Sequence, residues 1–179
     1  MSKPTSLPVL DITVTVEDAA WAQACDDVAA RVESAVRAAI IAARSDSDAG
    51  APLPKTASAY EMGVVLTDDD RVQKLNREWR DQDKPTNVLA FESLDEPPEG
   101  APWQLGDVIV AFGTTAGEAD AGSLALADHL SHLVVHGALH LFGYDHILDE
   151  DAEEMEALET RVLAGLGVAA PYGPVGPCE

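Results

Sequence analysis

The chain has 179 residues and a mass of 18.9 kDa, with 46% hydrophobic residues and 32 acidic against 11 basic ones, for a net charge of −21. That length suits one domain able to bury its own core, and no apolar run reaches the roughly 18 residues needed to span a bilayer. So strong a negative charge should repel bare nucleic acid unless the few cations are gathered in one place.

Pro8 to Val16 reads as a strand, with Ile12, Val14 and Val16 alternating against Asp11, Thr13 and Thr15. Met1 to Asp11 lacks the basic and apolar regions of a secretory signal, which predicts a cytoplasmic protein. Glu17 to Arg44 is alanine-rich with apolar residues at helical spacing (Trp21, Val28, Val32, Val36, Ile40), predicting one long amphipathic helix. Residues 45–58, broken by Ser, Asp, Gly and two prolines, predict a surface loop, and Ala59 to Leu66 a second strand.

Thr67 is the expected N-cap of the next helix, with Asp68, Asp69 and Asp70 in its first turn and an inner stripe of Val72, Leu75, Asn76 and Trp79. On that reading Trp79 is a core residue rather than a platform for bases. Pro85 bars helix continuation, and Asn87 to Glu92 reads as a short strand. A polar, proline-rich loop over 93–103 and Leu105-Gly106-Asp107 then lead into Val108 to Phe112, an apolar run expected to be a central strand. A short helix is expected within 113–122. Ser123 should cap a helix running through Leu126, Leu130, Leu133, Val134 and Leu141, apolar on most of its circumference and therefore buried. A last helix, about Leu148 to Leu166, opens on three acids, and residues 168–179 read as an irregular tail to a single domain of 1–167.

Two clusters stand out from this frame. Arg71, Lys74, Arg77, Arg80 and Lys84 are five of the eleven cations, packed into fourteen residues, while no lysine or arginine occurs from Pro85 to Thr160. All five histidines fall between His129 and His146. His136 and His140, four apart on a helix, share one face, and Gly143 offers a helix end with positive φ that can swing His146 back toward them. Because His132, His136 and His140 form an i, i+4, i+8 ladder, the ligand pair can also be drawn one turn earlier; the glycine turn before His146 favours the later pair. Three imidazoles with a fourth position open are the ligands of a catalytic zinc site, whereas structural sites are closed, often by cysteines. Cys25 and Cys178 form no C-x-x-C motif that could close such a site.

Zinc lowers the pKa of a bound water to roughly 7 and polarises the bond under attack, which points to hydrolysis. H-x3-H-x5-H with an intervening glycine is also the spacing of metzincin peptidases, in which a glutamate follows the first histidine as general base. Here that position is Gly137, so the peptidase route lacks its base. Phosphodiester cleavage can lean instead on the metal and on a guanidinium, for which Arg80, at the end of the basic helix, is the candidate.

The stretch His136-Gly-Ala-Leu-His140-Leu-Phe-Gly-Tyr-Asp-His146, with Leu75-Asn76, Trp79-Arg80, Lys84-Pro-Thr-Asn-Val-Leu89 and Leu105-Gly106-Asp107, closely resembles the YbeY family of bacterial ribosomal RNA maturation endoribonucleases. The resemblance spans roughly Glu61 to Leu166. It implies a single α+β domain with a zincin-like mixed sheet of about four strands packed with helices, the metal-site helix buried. It also implies one Zn2+ held by His136, His140 and His146, with Arg80 on the family's functional arginine. The implied activity is metal-dependent cleavage of single-stranded RNA in late small-subunit ribosomal RNA 3′ maturation and ribosome quality control. The implied partners are ribosomal RNA precursor and the ribosome, a small-subunit ribosomal protein and an assembly GTPase, with neither membrane nor DNA involved. A non-catalytic zinc-containing ribosome-assembly factor and a metallopeptidase are the competing readings. The acidity is expected to suppress loose binding to bulk RNA.

Overall fold

A computed structural model describes residues 6–46, 57–93, 95–145 and 147–171. Four strands, β1 (Val9–Val16), β2 (Ala59–Thr67), β3 (Val88–Glu92) and β4 (Trp103–Ala111), form one sheet in the order β1-β2-β4-β3. The pairs β1–β2 and β2–β4 are parallel, and β3 runs antiparallel to β4 as an edge. The fold is α+β, a single domain with a mixed sheet.

Alternation decides which side of the sheet each residue serves. Tyr60, Met62, Val64 and Leu66 of β2 are buried on one face, and the residues between them are only partly covered. Near the end of β4, Val108 and Val110 join the large core on that first face while Ile109 and Ala111 join a small cluster on the other. That is why 108–111 reads as an unbroken apolar run: the strand is covered on both sides. The large core is closed by α2 (Val28–Ser45), α5 (Leu126–Leu141) and α6 (Asp149–Gly165), and the small one by α3 (Asp69–Arg80) alone.

Several local expectations are corrected. The stretch expected to be one helix over 17–44 is two, α1 (Ala19–Ala24) and α2, because Asp27 takes a left-handed conformation at φ 48° and breaks the ladder. The break lets α1 turn Trp21 inward, fully buried, where its Nε1–H donates to the Thr67 carbonyl at 3.1 Å. The indole meets Phe112 edge-on, centroids 5.0 Å apart, a contact worth about 0.5–1.5 kcal/mol beyond its burial.

Thr67 is thereby the buried last residue of β2, and the N-cap of α3 is Asp68, whose carboxylate accepts from the Arg71 N–H at 2.8 Å. β4 begins at Trp103, five residues before the expected start, and Phe112 opens α4 (Phe112–Ala121) instead of closing the strand. The early start requires a bulge at Glu61/Met62 opposite Leu105, beside Gly106 at φ 118°. A Cβ on Gly106 would lie 2.0 Å from the Phe91 carbonyl oxygen, so this position admits only glycine. α4 has no cap of its own: Asp69 of α3 supplies it, accepting from the Thr114 N–H and hydroxyl, both at 2.9 Å. Ser123, expected to cap α5, sits at φ 53° outside it, and Ala125 is the N-cap. Most of the expected 45–58 loop and the end of the tail lie outside the described residues.

Candidate metal centre and its cleft

α5 is the element on which the site is built. Its Leu130, Leu133, Val134, Ala138 and Leu141 are buried in the large core, leaving His129, His132, His136 and His140 along the flank turned toward α4, α6 and the β3 edge. Gly137 brings this helix down onto the sheet. A Cβ there would stand 2.8 Å from both γ-methyls of Val108, closer than side chains approach. The residue after His136 therefore contacts the core, and a glutamate side chain has no room at that position.

His136 and His140 are held by hydrogen bonds on their Nδ1 sides. The His136 Nδ1–H donates to Oε1 of Glu159, and the His140 Nδ1–H donates to the Tyr144 carbonyl at 2.9 Å. With the proton assigned to Nδ1 by these acceptors, both Nε2 lone pairs face outward, and the two Nε2 atoms stand 3.0 Å apart. Nitrogens that share a zinc ion at about 2.0–2.1 Å each come to roughly this separation. A carboxylate and a carbonyl behind the imidazoles are also the usual supports of metal-ligating histidines. The donor set thus fits a divalent cation.

The α5 helix ends as its sequence directs. Gly143 adopts φ 104°, its N–H donates to the His140 carbonyl at 3.0 Å, and the Tyr144 N–H donates to the Leu139 carbonyl at 3.0 Å. Tyr144 is pinned further by its hydroxyl, which donates to Asp46 at 3.4 Å. Burial, reinforced by the Asp46 carboxylate, raises its pKa above the ordinary phenol value and keeps it a neutral donor. His146, the third expected ligand, lies outside the described residues. Among the described residues no group of three potential ligands surrounds one point.

The earlier pair is the poorer alternative. His132 and His136 have ring centroids 6.3 Å apart, against 4.5 Å for His136 and His140, and His132 Nε2 lies 3.5 Å from Oε2 of Glu159. His129 donates from Nε2 to Glu118 at 2.8 Å, a satisfied structural contact.

Glu159 is the member of this cluster that sequence reasoning missed. It is fully buried on α6 and bridges His132 and His136. The readable signal was an acid beside Leu158 and four residues from Met155, on the inward stripe of a helix whose other acids face solvent.

Arg80 reaches the same site from the opposite side. A cleft of about 290 Å³ is lined by Arg80, Asn87, Val88, Ala90, Glu92, His136, Gly137 and His140. The guanidinium leans on β3, donating to the Ala90 carbonyl at 3.4 Å. α3 stops there because Asp81 turns left-handed at φ 55°, and the buried Asn76 holds the following turn by donating from Nδ2 to the Lys84 carbonyl at 2.9 Å. Of the other cations in the cluster, Arg71 pairs with Glu17 at 3.1 Å and Arg77 with Asp83 at 3.8 Å. Trp79, expected in the core, is 69% exposed instead. At the end of α3 its ring lies across Phe91, and the small cluster beneath is filled without it.

The family model described as Endoribonuclease YbeY matches residues 23–167. The chain belongs to the YbeY family. A relative from Paramagnetospirillum magneticum named Endoribonuclease YbeY is 50% identical over 168 residues, covering 92% of this chain and 96% of its own length. A relative of the same name from Azorhizobium caulinodans is 49% identical over 163 residues, covering 91% and 96%. The solution structure of TM1509 from Thermotoga maritima superimposes with a TM-score of 0.50 at 21% identity over 94% of this chain and 99% of its own, a likeness of fold. The YbeY family match covers α2 through α6, and so the whole of the cleft. Among the described residues no helix is long and apolar enough to cross a membrane.

Proposed function

We propose that the protein is a metal-dependent endoribonuclease that cleaves single-stranded RNA in the 3′ maturation of small-subunit ribosomal RNA and in ribosome quality control, working on the ribosome with a ribosomal protein and an assembly GTPase. The observation that carries this reading is the joint lining of one cleft by the paired imidazoles of His136 and His140 and the guanidinium of Arg80. Its relatives' shared name, Endoribonuclease YbeY, supports the choice of RNA.

In this reading His136, His140 and His146 hold a Zn2+ ion, which when bound supplies a Lewis acid and a nucleophile at neutral pH. Glu159 and the Tyr144 carbonyl keep both Nδ1 atoms protonated, so the Nε2 lone pairs stay aimed into the cleft. Arg80 binds the scissile phosphate and stabilises the charge that develops on its oxygens. The wall at Gly137 leaves no carboxylate where a peptidase would need one, which sets the metallopeptidase reading behind the nuclease. A purified, zinc-loaded preparation should cut a single-stranded ribosomal RNA precursor, lose that activity to a chelator and regain it with zinc. Peptide hydrolysis with RNA left intact would reverse the assignment.

A further inference from the structure

Among the described residues Trp79 is the exposed aromatic, at 69%, although it ends an amphipathic helix whose other inward positions are covered. Its ring lies at 67° to Phe91, centroids 6.1 Å apart, and the pair forms part of the wall of a groove of about 740 Å³. Leu75, Val65 and Ile109 line it as well, and the polar groups at its rim are Arg71, Glu92 and Asp107.

The groove and the histidine cleft are neighbours across one strand. β3 alternates so that Val88, Ala90 and Glu92 face the cleft and Leu89 and Phe91 face α3. Ala90 and Glu92 line both depressions, and Arg80 is anchored on the Ala90 carbonyl between them. A strand whose phosphate sits at Arg80 therefore has two directions to go, into the cleft or over the β3 edge onto Trp79.

We propose that the Trp79–Phe91 groove is a nucleobase subsite, in which the base next to the scissile phosphate leaves the stack and lies on the exposed indole. This rests on the endoribonuclease reading and names how that site engages single strands. Charge sorts the parts of the nucleotide: in the groove Asp107 disfavours a phosphate and the rim cation Arg71 is already paired with Glu17, while an uncharged base suits the aromatic wall. The phosphate is left to Arg80, in the one stretch of this acidic chain where cations gather. Aromatic stacking without a dedicated hydrogen-bond code tolerates any base and rejects duplexes, whose bases are already stacked.

The test uses the full-length, zinc-loaded protein and a short single-stranded RNA, intact or carrying one abasic position next to the cleaved bond. Trp79→Ala should raise KM about tenfold, the scale of one lost base–aromatic stack, with a much smaller change in kcat, and Trp79→Phe should recover most of it. On the abasic RNA, wild type and Trp79→Ala should have the same KM, which a merely structural role for Trp79 would not produce. If wild type cleaves the RNA and Trp79→Ala has an unchanged KM on the intact strand, the subsite is wrong and the nuclease reading stands. If wild type itself leaves the RNA intact, both fall. A Trp79→Ala defect confined to binding a ribosomal protein would overturn the base as occupant.

Discussion

The two faces of the sheet are built to different standards. On the face toward α2, α5 and α6, more than two dozen buried side chains interlock, and α5 approaches so closely that Gly137 admits no Cβ. On the other face α3 closes a cluster of four buried residues, Val72, Leu89, Ile109 and Ala111, and leaves a groove beside it. The cleft histidines His136 and His140 belong to the first face and Arg80 to the second, and they meet at the β3 edge. Rigid packing suits ligands whose geometry must be held before the ion arrives, whereas an open face suits side chains that must receive a flexible strand.

Substitutions can break this contrast. The broadest effect is expected at Gly137, where fold and site should suffer together. Gly137→Leu drives a side chain into Val108, so it should cost at least the 1–3 kcal/mol typical of overpacking and displace His136, read as a lower denaturation midpoint together with weakened zinc binding. A stable variant with unimpaired zinc affinity would show that the close approach is not what positions the ligand.

The same truncation on each face measures the contrast directly. Leu139→Ala, at a fully buried position of α5, should cost about 2–5 kcal/mol in chemical denaturation, and Leu75→Ala, half-buried on α3, markedly less. Equal costs would erase the distinction between the faces. Arg80→Ala, on the open side, should leave the denaturation midpoint within about 0.5 kcal/mol of wild type, as an exposed site does. RNA cleavage should nevertheless fall about a hundredfold or more, the usual loss when one charge-stabilising donor is removed.

How much of this was legible follows the same division. The buried face announced itself: the 3.6-residue spacing of α5, the strand run at 108–111 and the glycine stop at 143 are consequences of local pattern and backbone sterics. The His-x3-His pair was readable because a helix alone places its members on one side. What was not legible depended on contacts distant in sequence. Asp27 breaks a helix that propensity alone would continue, and Asp69 caps α4 across 45 residues. Glu159 reaches His136 from another helix. Trp79 was misplaced because an amphipathic stripe says which side of a helix is apolar, without saying how far along it the partner surface extends.

Smaller effects sharpen the picture. Asp68→Ala removes the N-cap of α3 and should cost about 1 kcal/mol, with Asp68→Asn largely tolerated. Burial, partly offset by the Arg44 guanidinium, raises the pKa of Tyr60 above the ordinary phenol value. The folded protein then keeps a proton that the unfolded chain gives up near pH 10, so stability is full below about pH 10 and declines as the pH rises beyond it. Tyr60→Phe should flatten that decline in denaturation curves measured above pH 9.

Zinc titration of the apo protein followed by X-ray absorption of the loaded site tests most directly whether His136, His140 and His146 hold a catalytic metal beside Arg80. One zinc per chain is expected, with three imidazole nitrogens at about 2.0–2.1 Å and a light-atom fourth ligand, and weak or absent binding in His140→Ala. A sulfur ligand, or full-affinity zinc binding in His140→Ala, would contradict it.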